Sequence, residues 1–219
     1  MSEEAGASEK EEGGNEVDGM VAFAAVMEGL NPSNATAREQ IEAKLQDPEY
    51  LQVIKEMWEL ANCYSVIPGE QTPKVLAMKV GTAKAYIGKN AAFLQQFLEY
   101  CTTRTDACGL AANQLQRNDT EDRVMERVMA LKPGPNEAWR LAIDPKILRG
   151  LGKATRKFEG CLTWPGRKIV VSRYPKVIAA WHNQDGSSET KTLEGFEAQV
   201  FQHEVDHLNG VEEIVVDVN

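Results

Sequence analysis

GFEAQVFQHEVDHL, residues 195–208, is the stretch from which the fold is read. It is expected to form the last helix of its domain, closed by Asn209-Gly210, since a glycine just past a helix end takes the left-handed cap without strain. A helix places residues four apart on one face, so His203 and His207 can hold one metal ion, with Glu204 projecting near the same point. The chain has three histidines, which makes a chance His-Glu-x-x-His match improbable, whereas a lone histidine is usually structural. His182, outside any motif, is read as structural.

Two histidines do not complete a site, because a catalytic zinc or iron takes three protein donors and keeps a position for water. Glu213 lies six residues after His207, the place of the third ligand in three-histidine metalloproteases. Cys161, in Glu159-Gly-Cys-Leu-Thr-Trp-Pro-Gly166, sits between a flexible glycine and a Pro-Gly turn that can hold a thiolate at a strand edge, and is the better ligand.

Working outward, Lys168–Ser172 and Val177–Trp181 are β-like runs, and Asn183-Gln-Asp-Gly186 has the Asp-Gly signature of a hairpin joining Val177–Trp181 to Glu189–Leu193. Arg127–Leu131 and Trp139–Ile143 are strands before them. Asn90–Cys101 is a helix, with Leu94, Phe97, Leu98 and Cys101 on one stripe. Helix, strands, then helix is an α+β plan. The expected domain spans residues 63–219, preceded by a helical extension, 21–62, with helices near Thr36–Leu45 and Glu49–Tyr64.

Charge separates the remaining segment. Of a net charge of −9 over 219 residues, residues 1–20 carry seven acids and one lysine, or −6, with almost no large apolar side chain. Such a segment cannot bury enough surface to offset its chain entropy, so 1–20 is expected to be a disordered acidic tail. An acidic chain without a basic face is not a nucleic-acid binder. It shows neither a membrane span nor a secretory plan, and a cytoplasmic protein is expected. The four scattered cysteines do not form a disulfide scaffold.

A third segment, Ala107-Cys-Gly-Leu-Ala-Ala-Asn-Gln114, is built of small residues that let another backbone approach. In this order, Cys-Gly-Leu-Ala-Ala-Asn-Gln, Glu-Gly-Cys-Leu-Thr and Gln-His-Glu-Val-Asp-His resemble the three signature motifs of the peptide deformylase family. The resemblance runs over roughly Asn90–Val211, through Leu141–Ile147, Arg173-Tyr174 and Leu208-Asn-Gly210, and leaves the first 60 or so residues without a counterpart. It implies a peptide-deformylase-like α+β fold, with antiparallel or mixed sheets around a central metal-binding helix. It implies one divalent ion on Cys161, His203 and His207, ferrous iron in many members and zinc in others, with Glu204 as acid/base. Three neighbours depart from the family pattern, Ala107 for Gly, Asn113 for Pro or Thr, and Thr163 for Ser, and each leaves the chemical groups in place.

The expected reaction is hydrolysis of the N-formyl group from the first methionine of newly made polypeptides, with the ribosome a partner by association. Water activated by the metal attacks the formyl carbon, Glu204 takes its proton, and the Gln114 amide and Leu162 N–H stabilise the oxyanion. The substrate would lie extended against backbone near Cys108, Gly109 and Gly160, with Phe196 and Val200 as pocket or ordinary core. Glu159, Asp206 and Arg173 are candidates for orienting the histidines. The rivals are a zinc endopeptidase using Glu213 and a paralogue that binds N-termini without hydrolysis.

Overall fold

A computed structural model describes residues 8–134 and 137–217. Its contacts divide the chain into two units, Met1–Asn62 and Cys63–Asn219.

The first unit holds α1 (Ser8–Met27), α2 (Ala35–Lys44) and α3 (Pro48–Ala61). Asn34 caps α2 by accepting from the Ala37 N–H at 3.2 Å, and Asp47 caps α3 by accepting from Glu49 N–H at 2.8 Å, with Pro48 in the first turn where no N–H is needed. Met20, Val21, Ala24 and Ala25 of α1 bury against Ile41 and Ile54. Gly19 permits this contact, since a Cβ there would meet the Trp58 ring at 2.8 Å. The expectation of a disordered tail over 1–20 is corrected in part: residues 1–7 lie outside the described residues, and from Ser8 onward the chain is helical. Once the apolar end of α1 is anchored, each further residue adds a hydrogen bond for one residue fixed, and the glutamates and Lys10 are good helix formers, although Gly13 and Gly14 are not. α3 also ends at Ala61, short of the expected Tyr64.

The second unit begins with β1 (Tyr64–Val66), then α4 (Ala83–Lys89) and α5 (Ala91–Thr102). There follow β2 (Gly109–Ala111), a 3-10 turn (Ala112–Gln114), β3 (Leu115–Arg117), β4 (Val128–Leu131), β5 (Arg140–Leu151) and β6 (Thr155–Glu159). β7 (Lys168–Arg173), β8 (Lys176–His182), β9 (Ser188–Glu194), α6 (Gly195–Asn209) and β10 (Ile214–Val216) complete it.

One sheet has the order β2-β4-β5-β8-β9, a second β10-β7-β6, and β1 pairs with β3. Every pairing among the described strands is antiparallel, so the sheets are not mixed. The alternation of β4 shows how helices cover both faces of the large sheet. Val128 and Ala130 join the core containing Phe97 and Leu94 of α5, whereas Met129 and Leu131 join the core containing Phe201, Val205 and Leu208 of α6. β4 is buried at all four positions, and α6 is thereby packed on a rigid sheet. The β8–β9 hairpin turns at Asn183–Ser187, with Gly186 at φ 83°.

Candidate metal centre and its groove

The site is built on α6. Gly210 ends the helix at φ 62°, and its N–H donates to His207 O at 3.0 Å. The His207 carbonyl also accepts from Asn113 Nδ2 at 2.7 Å and Thr72 Oγ1 at 2.9 Å, so this turn of the helix is fixed from three directions. Buried Arg127 donates to the next carbonyl, Leu208 O, at 3.2 Å, and is paired with Asp144.

On the inward face His203 Nε2 and His207 Nε2 lie 3.2 Å apart, and Cys161 Sγ is 3.3 Å from His207 Nε2. A Glu213 carboxylate oxygen completes a group of four donor atoms, all within 4.8 Å of one another. The far nitrogens of the two rings have acceptors. His203 Nδ1 is 2.8 Å from Glu159 Oε2, and His207 Nδ1 is 3.4 Å from Thr72 Oγ1, whose own proton goes to the His207 carbonyl. Each Nδ1 therefore carries the proton and each Nε2 presents a lone pair toward the thiol. Lone pairs converging at this range repel unless a cation stands among them, and one thiolate with two imidazoles suits zinc or ferrous iron. The donors fit a divalent metal.

Glu159 is held in turn. Arg173 Nη2 donates to its Oε2 at 2.9 Å, and Arg173 Nη1 pairs with Asp206, so the three residues expected to orient the histidines are together. Burial pushes Glu159 up, but hydrogen bonds from His203 and Arg173 outweigh it and hold the carboxyl below its ordinary value. Burial and the adjacent His203 push His207 down, toward the neutral ring that a metal requires. His203 goes the other way, because contacts with Cys161 and Glu159 outweigh its burial.

Glu204 is buried, with Oε2 lacking a hydrogen-bond partner, and burial raises its pKa to about 7. Gly109 on β2 makes room for it: a Cβ at that position would meet Glu204 Oε1 at 2.5 Å and Val200 Cγ1 at 2.6 Å. Gln114 is fixed by its Oε1, which accepts from Ala111 N at 2.9 Å. Its Nε2 donates to Thr163 Oγ1 at 3.2 Å and lies 3.8 Å from Cys161 Sγ.

A groove of about 830 Å³ opens over this centre. Cys108, Gly109, Gly160, Leu162, Phe196 and Val200 all line it, together with Gln114, Cys161, His203 and Glu204. Val200 is also part of the core, whereas Phe196 is half exposed at the rim. β2 and β6 are each the outer strand of a sheet, and Gly109, which opens β2, and Gly160, which follows β6, both line this opening. His182 is away from the site, against Ser188 in the hairpin.

Sequence reasoning missed Thr72, which lies in a segment with no periodicity, and treated Cys161 and Glu213 as rivals when the fold brings both to the histidines. The departure at Asn113 was the signal for its contact with the His207 carbonyl.

A helix-borne histidine pair with a thiol, beside a buried carboxylate and under an open groove, is the arrangement of a metallohydrolase centre. The family model for polypeptide deformylase matches residues 70–215, well over half of the chain. A peptide deformylase of Aquifex aeolicus is 41% identical over 110 residues, 48% of this chain and 60% of that protein. One from Bifidobacterium adolescentis is 41% identical over 108 residues, 47% of this chain and 49% of that protein. These alignments thus span about half to three fifths of the relatives' length. Among solved structures, a Thermotoga maritima peptide deformylase superposes with a TM-score of 0.52 at 26% identity, over 68% of this chain and 92% of that one. An Acinetobacter baumannii class I type b peptide deformylase bound to Met-Ala-Ser gives 0.53 at 26% identity, over 67% and 93%. This chain belongs to the polypeptide deformylase family, a family of metal-dependent hydrolases that remove formyl groups.

Proposed function

We propose that the protein is a peptide deformylase, hydrolysing the N-formyl group of N-formylmethionyl nascent peptides to formate and a free N-terminal amine. The observation that carries this reading is the meeting of a thiol and two imidazoles in one donor cluster, with Cys161 and His203 of that cluster, the buried Glu204 carboxylate and the oriented Gln114 amide lining one groove.

Cys161, His203 and His207 would hold the ion, ferrous iron in the cell with zinc as the alternative. Bound there, a divalent cation supplies the Lewis acidity that makes water a nucleophile near neutral pH. Glu204 accepts a proton from the attacking water and returns it to the leaving nitrogen, and its elevated pKa suits both transfers. Gln114 Nε2, held by the Oε1 bond to Ala111, and the Leu162 N–H donate to the carbonyl oxygen as it gains charge, and donors fixed beforehand need no reorganisation. The formyl C–N bond breaks as the amine takes the proton.

The substrate adds as an extended strand between β2 and β6, pairing by backbone at Cys108, Gly109 and Gly160, with its methionine side chain toward Phe196 and Val200. Backbone pairing beyond the first side chain reads little sequence, which suits an enzyme that meets many nascent chains at the ribosome in the cytoplasm.

Formate release from formyl-Met-Ala-Ser by protein loaded anaerobically with Fe(II) tests this, with Glu204→Ala as control. The variant is expected to keep its metal and lose turnover by about 10²–10⁴-fold. An equally active Glu204→Ala would contradict the assignment of Glu204, and no formate from fully loaded wild type would favour the non-hydrolytic paralogue.

A further inference from the structure

Residues 71–98 contain four lysines and no Asp, Glu or Arg, in a chain whose net charge is −9. Among the described residues none of Lys74, Lys79, Lys84 and Lys89 has a carboxylate within ion-pair distance. The first three belong to one surface segment, Lys74–Lys84, which runs into α4, and all three are exposed.

The backbone of this segment is fixed. Val75 N–H donates to Leu208 O at 2.9 Å, and the Val75 carbonyl accepts from Arg127 Nη1 at 2.9 Å. Met78 N–H donates to Asp144 Oδ1 at 3.1 Å, and the charge of Asp144 is taken up by Arg127 and Lys146. Lys79-Val-Gly-Thr82 is a tight turn with Gly81 at φ 80°. It is closed by donation to Lys79 O from the Thr82 N–H at 3.2 Å and from Thr82 Oγ1 at 2.7 Å. Val80 stands at the tip of the turn, 102% exposed, and Leu76 before it is 78% exposed.

A single exposed apolar side chain is ordinary. Here two large ones protrude from a backbone tied at Leu208, Arg127 and Asp144, and a lysine follows and precedes each: Lys74 and Lys79 around Leu76, Lys79 and Lys84 around Val80. An anionic lipid surface satisfies both features, since ammonium groups meet headgroup phosphates while apolar side chains enter the acyl boundary. RNA would engage the lysines and leave Leu76 and Val80 in water. The core of a protein–protein interface is depleted in lysine.

We propose that the Lys74–Lys84 segment docks the protein on the surface of an anionic bilayer, with Leu76 and Val80 entering the headgroup boundary and Lys74, Lys79 and Lys84 on the phosphates. Three lysines and two apolar side chains give weak, reversible attachment. The segment is bonded to Leu208 near the end of α6, whereas Phe196, which lines the groove, is in its first turn, about 18 Å away along the axis. The proposal does not depend on the reaction assigned above.

The test is co-sedimentation of the full chain with vesicles of equal parts phosphatidylcholine and phosphatidylglycerol, beside vesicles of phosphatidylcholine alone and binding to a short RNA oligonucleotide. Partition onto the anionic vesicles is expected to exceed that onto neutral ones by roughly tenfold or more and to fall as salt is raised. Lys79→Glu with Lys84→Glu, and separately Leu76→Ser with Val80→Ser, should each weaken it by roughly fivefold or more. Because these side chains are exposed, both double variants are expected to keep the wild-type Tm and to release formate from formyl-Met-Ala-Ser within about twofold of wild type. No preference for anionic vesicles would overturn the proposal. So would a serine double variant that partitions like wild type, since the apolar side chains would then play no part. RNA binding tighter than vesicle binding, lost in the lysine variant and kept in the serine variant, would overturn it in favour of a nucleic-acid contact.

Discussion

Gly109 and Glu204 are the closest-fitted pair at the site, since a methyl group on Gly109 would lie 2.5 Å from the carboxylate. Gly109→Ala must therefore displace Glu204 or lift β2 from α6. It is expected to lower kcat/KM for a formylated peptide by about tenfold or more, at a stability cost of roughly 1–3 kcal/mol. Glu159 acts through His203. Glu159→Gln keeps the shape but removes the charge that balances Arg173 and orients the ring, and metal affinity should fall by roughly 10–100-fold in a chelator titration. Unchanged affinity would show that Arg173 and Asp206 hold the ring without it. The residues of this centre were unequally legible. His203, Glu204 and His207 announce themselves by helical spacing, and Cys161 by its motif. Thr72 does not, because nothing local marks it and it reaches His207 across 135 positions; Glu213 is marked only by its spacing from His207, and its place beside the histidines is set by the return of the chain to β7.

At the scale of elements, α6 carries His203, Glu204 and His207, and its C-terminus is where it is anchored. Gly210 has φ 62°, and a Cβ there would lie 2.7 Å from Lys74 N, a backbone atom that cannot swing aside. Gly210→Ala should destabilise the second unit by about 2 kcal/mol, seen as a lower urea midpoint at constant m-value. The same backbone feature made this helix end readable, as Asn-Gly after an apolar-periodic run. Strands buried on both faces, such as β4, were readable as apolar runs, and the β8–β9 hairpin from its Asp-Gly turn. β6 was not, because Thr155-Arg-Lys-Phe-Glu159 is exposed at four of its five positions and carries no inward alternation. β1, β2, β3 and β10 have three residues each, too short for any period to register. Their pairing is decided by partners distant in sequence, and β2 and β6, next to the groove residues Gly109 and Gly160, were therefore among the elements missed.

Across the whole molecule, each unit has its own apolar core: Ile41 and Ile54 with the α1 residues in the first, and the two faces of the five-stranded sheet in the second. All the residues assigned to the metal and groove belong to the second. Removal of residues 1–62 is accordingly expected to leave metal content and kcat/KM within about twofold, since the residues that line the site all come from the second unit. A large loss of either would mean that the first unit takes part in the chemistry.

The central claim is that this centre cleaves a formyl amide and not a peptide bond. Formyl-Met-Ala-Ser contains both, so product identification by mass spectrometry after incubation with the Fe(II)-loaded protein separates them directly. The account predicts formate and intact Met-Ala-Ser; formyl-Met with Ala-Ser would contradict it.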